Sequence, residues 1–106
     1  MRTLKDIDVY EAHALLDRDA LFIDVREPSE QAVERIPGAM SAPLSALARG
    51  EAINTPPERP KVFLCASGMR TRNNAAALAS LVDGDAYCLA GGIVAWRQAG
   101  YPTERG

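Results

Sequence analysis

Neither positive nor negative charge predominates strongly in this sequence. Its 12 Lys and Arg stand against 14 Asp and Glu, a formal net charge of -2, so it lacks the basic footprint that nucleic-acid backbones and anionic membranes require. Neither nucleic acid nor membrane is an expected partner. Cysteine is scarce as well. Two in the whole chain make no disulfide framework and have neither the count nor the spacing of a zinc site, so no metal is expected and each is read as a separate thiol. Histidine occurs once, as His13, in a stretch read as the first helix, where a surface or boundary role is expected. No apolar run approaches the roughly 18 residues of a membrane span. The opening Met1-Arg2-Thr3-Leu4-Lys5-Asp6 also lacks the apolar stretch of a secretory signal. The expected address is cytoplasmic, where thiols stay reduced.

What is present is an ordinary globular composition, 47% hydrophobic and 25% charged over 106 residues, a length that suits one domain, expected over 1–106. No repeat, low-complexity tract or charge run divides it. Short apolar runs alternate with helical patterns, which points to α/β. Asp8 and Glu11 form a capping-box pattern that opens a helix near residues 8–17, with Val9, Ala12, Leu15 and Leu16 on one face. Ala20-Leu21-Phe22-Ile23, Lys61-Val62-Phe63-Leu64 and Ala86-Tyr87-Cys88-Leu89 read as strands, the first two with the continuous apolar character of strands buried on both faces. Between them lie a polar surface helix from Pro28 to Arg35, another turn or two of helix from Pro43 to Gly50, and a proline-rich loop, Thr55 to Pro60. A helix begins near Arg70, and Ala75, Leu78, Ala79 and Val82 place an apolar stripe on residues 73–82. Gly91-Gly92 turns the chain into a last helix that stops at Gly100. Strands joined through helices make a mainly parallel sheet, whose ligand site lies beyond the carboxyl ends of the strands.

Cys65 follows such a strand end. The loop Cys65-Ala66-Ser67-Gly68-Met69-Arg70 begins with a thiol, has glycine fourth and ends on a guanidinium. A tight turn opening a helix aims successive N–H groups into one concavity, and Gly68 supplies the positive φ that such a turn needs. With the helix dipole and Arg70, those donors favour a thiolate. Arg70 has two readings: it binds an anionic donor, or it braces the turn by pairing with Asp24 or Glu27. Ser67 either adds a hydroxyl donor or caps the helix. Arg72 is read as an exposed helix cation, and Tyr87 and Trp96 as rim and core aromatics. Cys88 reads as core, although parallel pairing that brought it near Cys65 would let the two close an internal disulfide.

Four segments, in order, resemble the rhodanese family over nearly the whole chain. They are Asp24-Val25-Arg26-Glu27-Pro28, Ile36-Pro37-Gly38-Ala39-Met40 with Pro43, Cys65-Ala66-Ser67-Gly68-Met69-Arg70-Thr71, and Leu89-Ala90-Gly91-Gly92-Ile93 with Ala95-Trp96. The sequence departs from the family's usual pattern at Arg35, where histidine is frequent, and at Thr71, where serine is common. The resemblance implies a mainly parallel five-stranded sheet flanked by helices on both faces. It implies a sulfurtransferase of the thiosulfate sulfurtransferase type, in which Cys65 takes sulfane sulfur as a persulfide and passes it to cyanide or a thiol. Residues 66–70 would cradle the persulfide, with Asp24, Arg26 and Thr71 in support, and no cofactor is called for. Two other readings remain. One is a persulfide relay serving protein donors or acceptors. The other is a cysteine phosphatase of related fold, against which stand the four residues between Cys65 and Arg70, where five are needed, and Leu64 in place of a preceding histidine.

Overall fold

The computed structural model describes residues 2–106. In chain order the elements are β1 (Lys5–Ile7), α1 (Val9–Leu15), a 3-10 turn (Leu16–Arg18), β2 (Leu21–Asp24), α2 (Pro28–Val33), β3 (Met40–Ser41), α3 (Leu44–Ala48), β4 (Lys61–Leu64), α4 (Met69–Asn73), α5 (Ala75–Ala79), β5 (Ala86–Leu89) and α6 (Gly92–Gln98). The five strands form one sheet in the order β1-β5-β4-β2-β3, and every pairing is parallel. The α/β expectation and the five-stranded parallel sheet are both borne out.

Each strand serves two cores because successive side chains alternate between faces. Leu21, Ile23, Phe63 and Cys88 point into a core covered by Leu44 and Leu47 of α3 and Leu78 and Ala79 of α5. Phe22, Val62, Leu64 and Leu89 point into the other, covered by Val9 and Ala12 of α1 and Ile93 and Trp96 of α6. All four residues of β2 and of β4 are buried, as the apolar runs Leu21–Ile23 and Val62–Leu64 predict for three of the four in each. The edge strands β1 and β3 are too short, at three and two residues, to show an alternation in the sequence, so the residue pattern alone yielded only the three inner ones. Lys61 is the unexpected core residue. It is fully buried at the start of β4, its Nζ donates to the carbonyls of Pro57 and Asp83, and burial pulls its pKa down.

Local chemistry accounts for the helix boundaries. Asp8 Oδ1 accepts from the Glu11 N–H at 2.8 Å and Glu11 Oε1 from the Asp8 N–H at 3.2 Å, the reciprocal cap that starts α1. The stripe assigned to residues 73–82 is not one helix. Asn74 leaves the helical conformation at φ -116°, ψ 17°, its side-chain amide donates to the Arg70 carbonyl at 2.7 Å, and the chain is split into α4 and α5. This is an asparagine side chain competing with the helix ladder, and the second half ends at Ala79 rather than Val82. Among the described residues, no helix is long and apolar enough to cross a membrane.

Candidate functional site

Because the inner strands are parallel and in register, β2, β4 and β5 end at one edge of the sheet, at Asp24, Leu64 and Leu89. The three segments that follow therefore meet there. Cys65 is the first residue past β4. The chain then turns through Gly68, at φ 91°, ψ -8°, which occupies the N-cap of α4; no side chain caps this helix, so the capping role considered for Ser67 is not taken up, and Ser67 is exposed.

The turn wraps the sulfur. Cys65 is only 1% exposed, and the Gly68 N–H donates to its Sγ at 3.2 Å. Burial pushes the thiol pKa up, but the backbone N–H groups of Thr71, Gly68 and Arg70 and the Thr71 hydroxyl together outweigh it, and the net result lies below the ordinary thiol value. Burial of a thiolate without donors would have the opposite outcome, so the main-chain donors decide the ionisation.

The β5–α6 turn holds this loop from behind. The N–H groups of Ile93 and Val94 donate to the carbonyls of Cys65 and Ala66 at 2.9 and 3.1 Å. Gly92, at φ 59°, presses its backbone so closely on the loop that a β-carbon there would lie 2.3 Å from the Cys65 oxygen and 2.5 Å from that of Ala66. Those carbonyls point at α6, which leaves the next N–H groups free to face the sulfur.

A model of the rhodanese-like domain family matches residues 8–99. The chain belongs to the rhodanese-like domain family. It is 31% identical over 107 residues to the thiosulfate sulfurtransferase GlpE of Pseudomonas fluorescens, covering 98% of this chain and 94% of that one. It is also 37% identical over 86 residues, 80% of this chain, to the "Probable adenylyltransferase/sulfurtransferase MoeZ" of Mycobacterium tuberculosis, spanning only 22% of that longer protein. In fold it resembles the crystal structure of a rhodanese-related protein from Thermoplasma volcanium, with a TM-score of 0.79 at 23% identity over 96% of this chain and 99% of that one. The relatives of this rhodanese-like domain thus include proteins named as sulfurtransferases.

The remaining groups expected at the site of this rhodanese-like domain are sorted by the structure into pairs. Arg70 does brace the turn, but with neither Asp24 nor Glu27. Its two terminal nitrogens donate to the two carboxylate oxygens of Glu30 at 2.7 and 2.8 Å, a fork-to-fork contact that neither sequence spacing nor the capping signal of α2 discloses. Glu30 Oε1 also accepts from the Glu27 N–H at 3.0 Å, and Glu30 titrates at about 2, chiefly through the Arg70 hydrogen bonds, which outweigh its partial burial. The same contact raises the Arg70 pKa, and the nearby Cys65 sulfur adds to that rise.

Asp24 takes the expected bracing role with Arg26 as its partner. Its carboxylate accepts from the Arg26 backbone N–H at 3.0 Å and from the guanidinium at 2.9 Å. That guanidinium also donates to the Glu34 carbonyl at 2.7 Å. Both side chains are buried. The pair fixes the β2–α2 loop and thereby α2, from which Glu30 reaches Arg70. Arg72 is exposed, as expected, and touches Asp6 at 3.3 Å.

Thr71 is completely buried and connects the two cysteines. Its Oγ1 lies 3.8 Å from Cys65 Sγ, 2.9 Å from Cys88 Sγ and 3.0 Å from the Gly68 carbonyl to which it donates. Cys88 pairs in register with Phe63, two residues before Cys65, so both sulfurs lie on one sheet face. Burial pushes the Cys88 pKa up. A protonated Cys88 can donate to the hydroxyl, which keeps its one proton free for the Gly68 carbonyl or the Cys65 sulfur. Both cysteines are free thiols. His13 lies away from the site, exposed and stacked on Tyr101 at 4.2 Å.

Proposed function

We propose that Cys65 carries sulfur as a persulfide, and that this chain is a sulfurtransferase that takes sulfane sulfur from a donor, of which thiosulfate is the simplest, and passes it to a thiophilic acceptor. The observation that supports it most directly is a buried sulfur whose pKa is nevertheless lowered by three backbone N–H groups and a hydroxyl. Thiolate is the attacking species in sulfur exchange. In the first step the Cys65 thiolate attacks the outer sulfur of a donor such as thiosulfate. A sulfur–sulfur bond forms, the donor's own sulfur–sulfur bond breaks, and its electron pair leaves with sulfite.

The product anion sits on the outer sulfur of Cys65–S–S⁻. The donors that stabilise the thiolate stabilise this anion too, and the loop shields it from water and stray thiols. In the second step cyanide or an acceptor already ionised as a thiolate attacks the outer sulfur; a sulfur–carbon or sulfur–sulfur bond forms, the sulfur–sulfur bond to Cys65 breaks, and its electron pair returns to the Cys65 thiolate. No general base is needed, because nucleophile and leaving group are both anions; the position of His13 outside the site is compatible with this. Nor is an oxidant needed, because every step exchanges one sulfur–sulfur or sulfur–acceptor bond for another. Two reduced cysteines suit a cytoplasmic setting.

Intact-mass measurement after treatment with thiosulfate, and separately with a small persulfide, tests the proposal. The expected result is a gain of one sulfur atom in the wild type and none in Cys65→Ala. Sulfur on the wild type that survives in Cys65→Ala, or no sulfur from either donor, would refute it.

A further inference from the structure

Among the described residues, the arginines around the loop are already engaged. Arg26 is buried against Asp24, Arg72 leans out toward Asp6, and Lys61 is buried at the far end of β4. Among the described residues, Arg70 is the cation that lies beside the sulfur. There the Glu30 carboxylate occupies both terminal nitrogens of its guanidinium, and the Glu27 N–H pins that carboxylate in place. The other loop side chains, Ala66, Ser67 and Met69, carry no charge, and Met69 stands 57% exposed at the rim.

From this arrangement we infer that Glu30 sets the donor preference of the site: by holding Arg70 it denies a dianion its countercharge and favours sulfur delivered as an alkyl persulfide. The inference rests on the sulfurtransferase reading above and names the donor class for it. The Glu30 charge offsets part of the Arg70 field that an approaching donor meets, while Arg70 still acts on the Cys65 sulfur. An approaching donor therefore meets the charge of the Cys65 thiolate itself. Thiosulfate brings two negative charges to it, whereas the persulfide of a simple thiol brings about one and offers a carbon chain to the apolar rim. Selectivity built by withholding a favourable partner is as real as selectivity built by supplying one. Glu30 stays ionised at any pH near neutral because it titrates at about 2, so protonation does not release Arg70 under working conditions.

The test compares kcat/KM for cysteine persulfide and for thiosulfate, with cyanide as common acceptor, in wild type, Glu30→Gln and Glu30→Asp. Persulfide is expected to be the better donor for the wild type. In Glu30→Gln the persulfide-over-thiosulfate ratio is expected to fall roughly three- to fivefold, the scale of a partly exposed charge contact. The fall should come from a lower KM for thiosulfate. Glu30→Asp, which keeps the charge, should hold the ratio near its wild-type value.

A Glu30 that only braces the fold would lower kcat for both donors together and leave the ratio alone, and that result overturns the inference. Wild-type protein supplies an independent reading. With Arg70 paired to Glu30, raising the ionic strength should leave the thiosulfate KM flat or lower it; a KM that climbs with salt would mean a cation is reading the donor, contrary to the inference. Persulfidated serum albumin as a third donor separates a protein-borne source from a small one, and either outrunning thiosulfate supports the proposal. If no donor leaves sulfur on Cys65, the sulfurtransferase reading falls and this inference with it. If Cys65 loads but the ratio does not move, this inference alone falls.

Discussion

Replacing Gly92 with alanine tests the claim that α6 aims the loop. The residue has φ 59°, and the added β-carbon would lie 2.3 Å from the Cys65 oxygen, 2.5 Å from the Ala66 oxygen and 2.6 Å from the Ala66 carbonyl carbon. All three contacts are with backbone, so nothing can swing aside. Left-handed backbone costs a β-carbon residue about 1–2 kcal/mol. Moving the loop away sacrifices the hydrogen bonds from Ile93 and Val94 to those carbonyls, about 1 kcal/mol each. The expected loss is about 3–4 kcal/mol. For a domain of this size that is a fall in Tm of roughly 12 °C or more.

Gly100→Ala is the matched control. Gly100 also has a positive φ, 86°, but has open space where a β-carbon would go, so only the backbone cost of about 1–2 kcal/mol applies. Urea denaturation gives the two losses, and the pH dependence of Cys65 alkylation gives the chemical consequence. Gly92→Ala should raise the pH at which Cys65 becomes reactive, because a displaced loop no longer presents its N–H groups to the sulfur, while Gly100→Ala should not. If both variants lose the same stability within about 0.5 kcal/mol, or if the alkylation midpoint of Gly92→Ala stays put, the steric argument is wrong.

Thr71→Val keeps the volume and removes the hydroxyl. The Cys65 pKa is lowered in the folded protein, so thiolate reactivity persists below the ordinary thiol value and is lost only as pH falls through the lowered one. The variant should shift that loss to higher pH, and alkylation rates measured across pH will show it; an unmoved midpoint would mean the hydroxyl does not act on the sulfur. The Gly68 carbonyl loses one of its two donors in that variant and keeps the Arg72 N–H, which should cost about 0.5–1.5 kcal/mol in urea denaturation. Asp24→Asn leaves the buried Arg26 guanidinium without its carboxylate, a loss of about 3–5 kcal/mol, and a urea-measured loss below about 1 kcal/mol would show that the pair is not what holds the β2–α2 loop.

Local chemistry makes much of this protein legible in its sequence. Uninterrupted apolar runs mark β2 and β4 because a strand buried on both faces has no polar alternation to show. Asp8 and Glu11 mark the start of α1 because a capping box is a contact between residues three apart. Cys65, Gly68 and Arg70 mark the loop because a thiol at a strand end, a residue free to take positive φ and a helix start lie within six positions. Each of these depends on neighbours in the chain.

What the tertiary structure decided depends on neighbours in space. Arg70 found Glu30, forty residues away, only because the Asp24–Arg26 pair sets α2 beside the loop, and no spacing rule distinguishes Glu30 from Glu27. Cys88 came under Thr71 through the register of β5 on β4, in which a slip of one residue would have turned it to the opposite face. Asn74 split a stripe that periodicity reads as continuous, since an amide bonded to a carbonyl four residues back leaves the pattern of apolar residues unchanged. The thiol's ionisation was decided the same way. Burial raises it and converging N–H groups lower it, and which prevails is set by how closely α6 holds the loop's carbonyls, a matter of contact between segments that only the folded chain brings together.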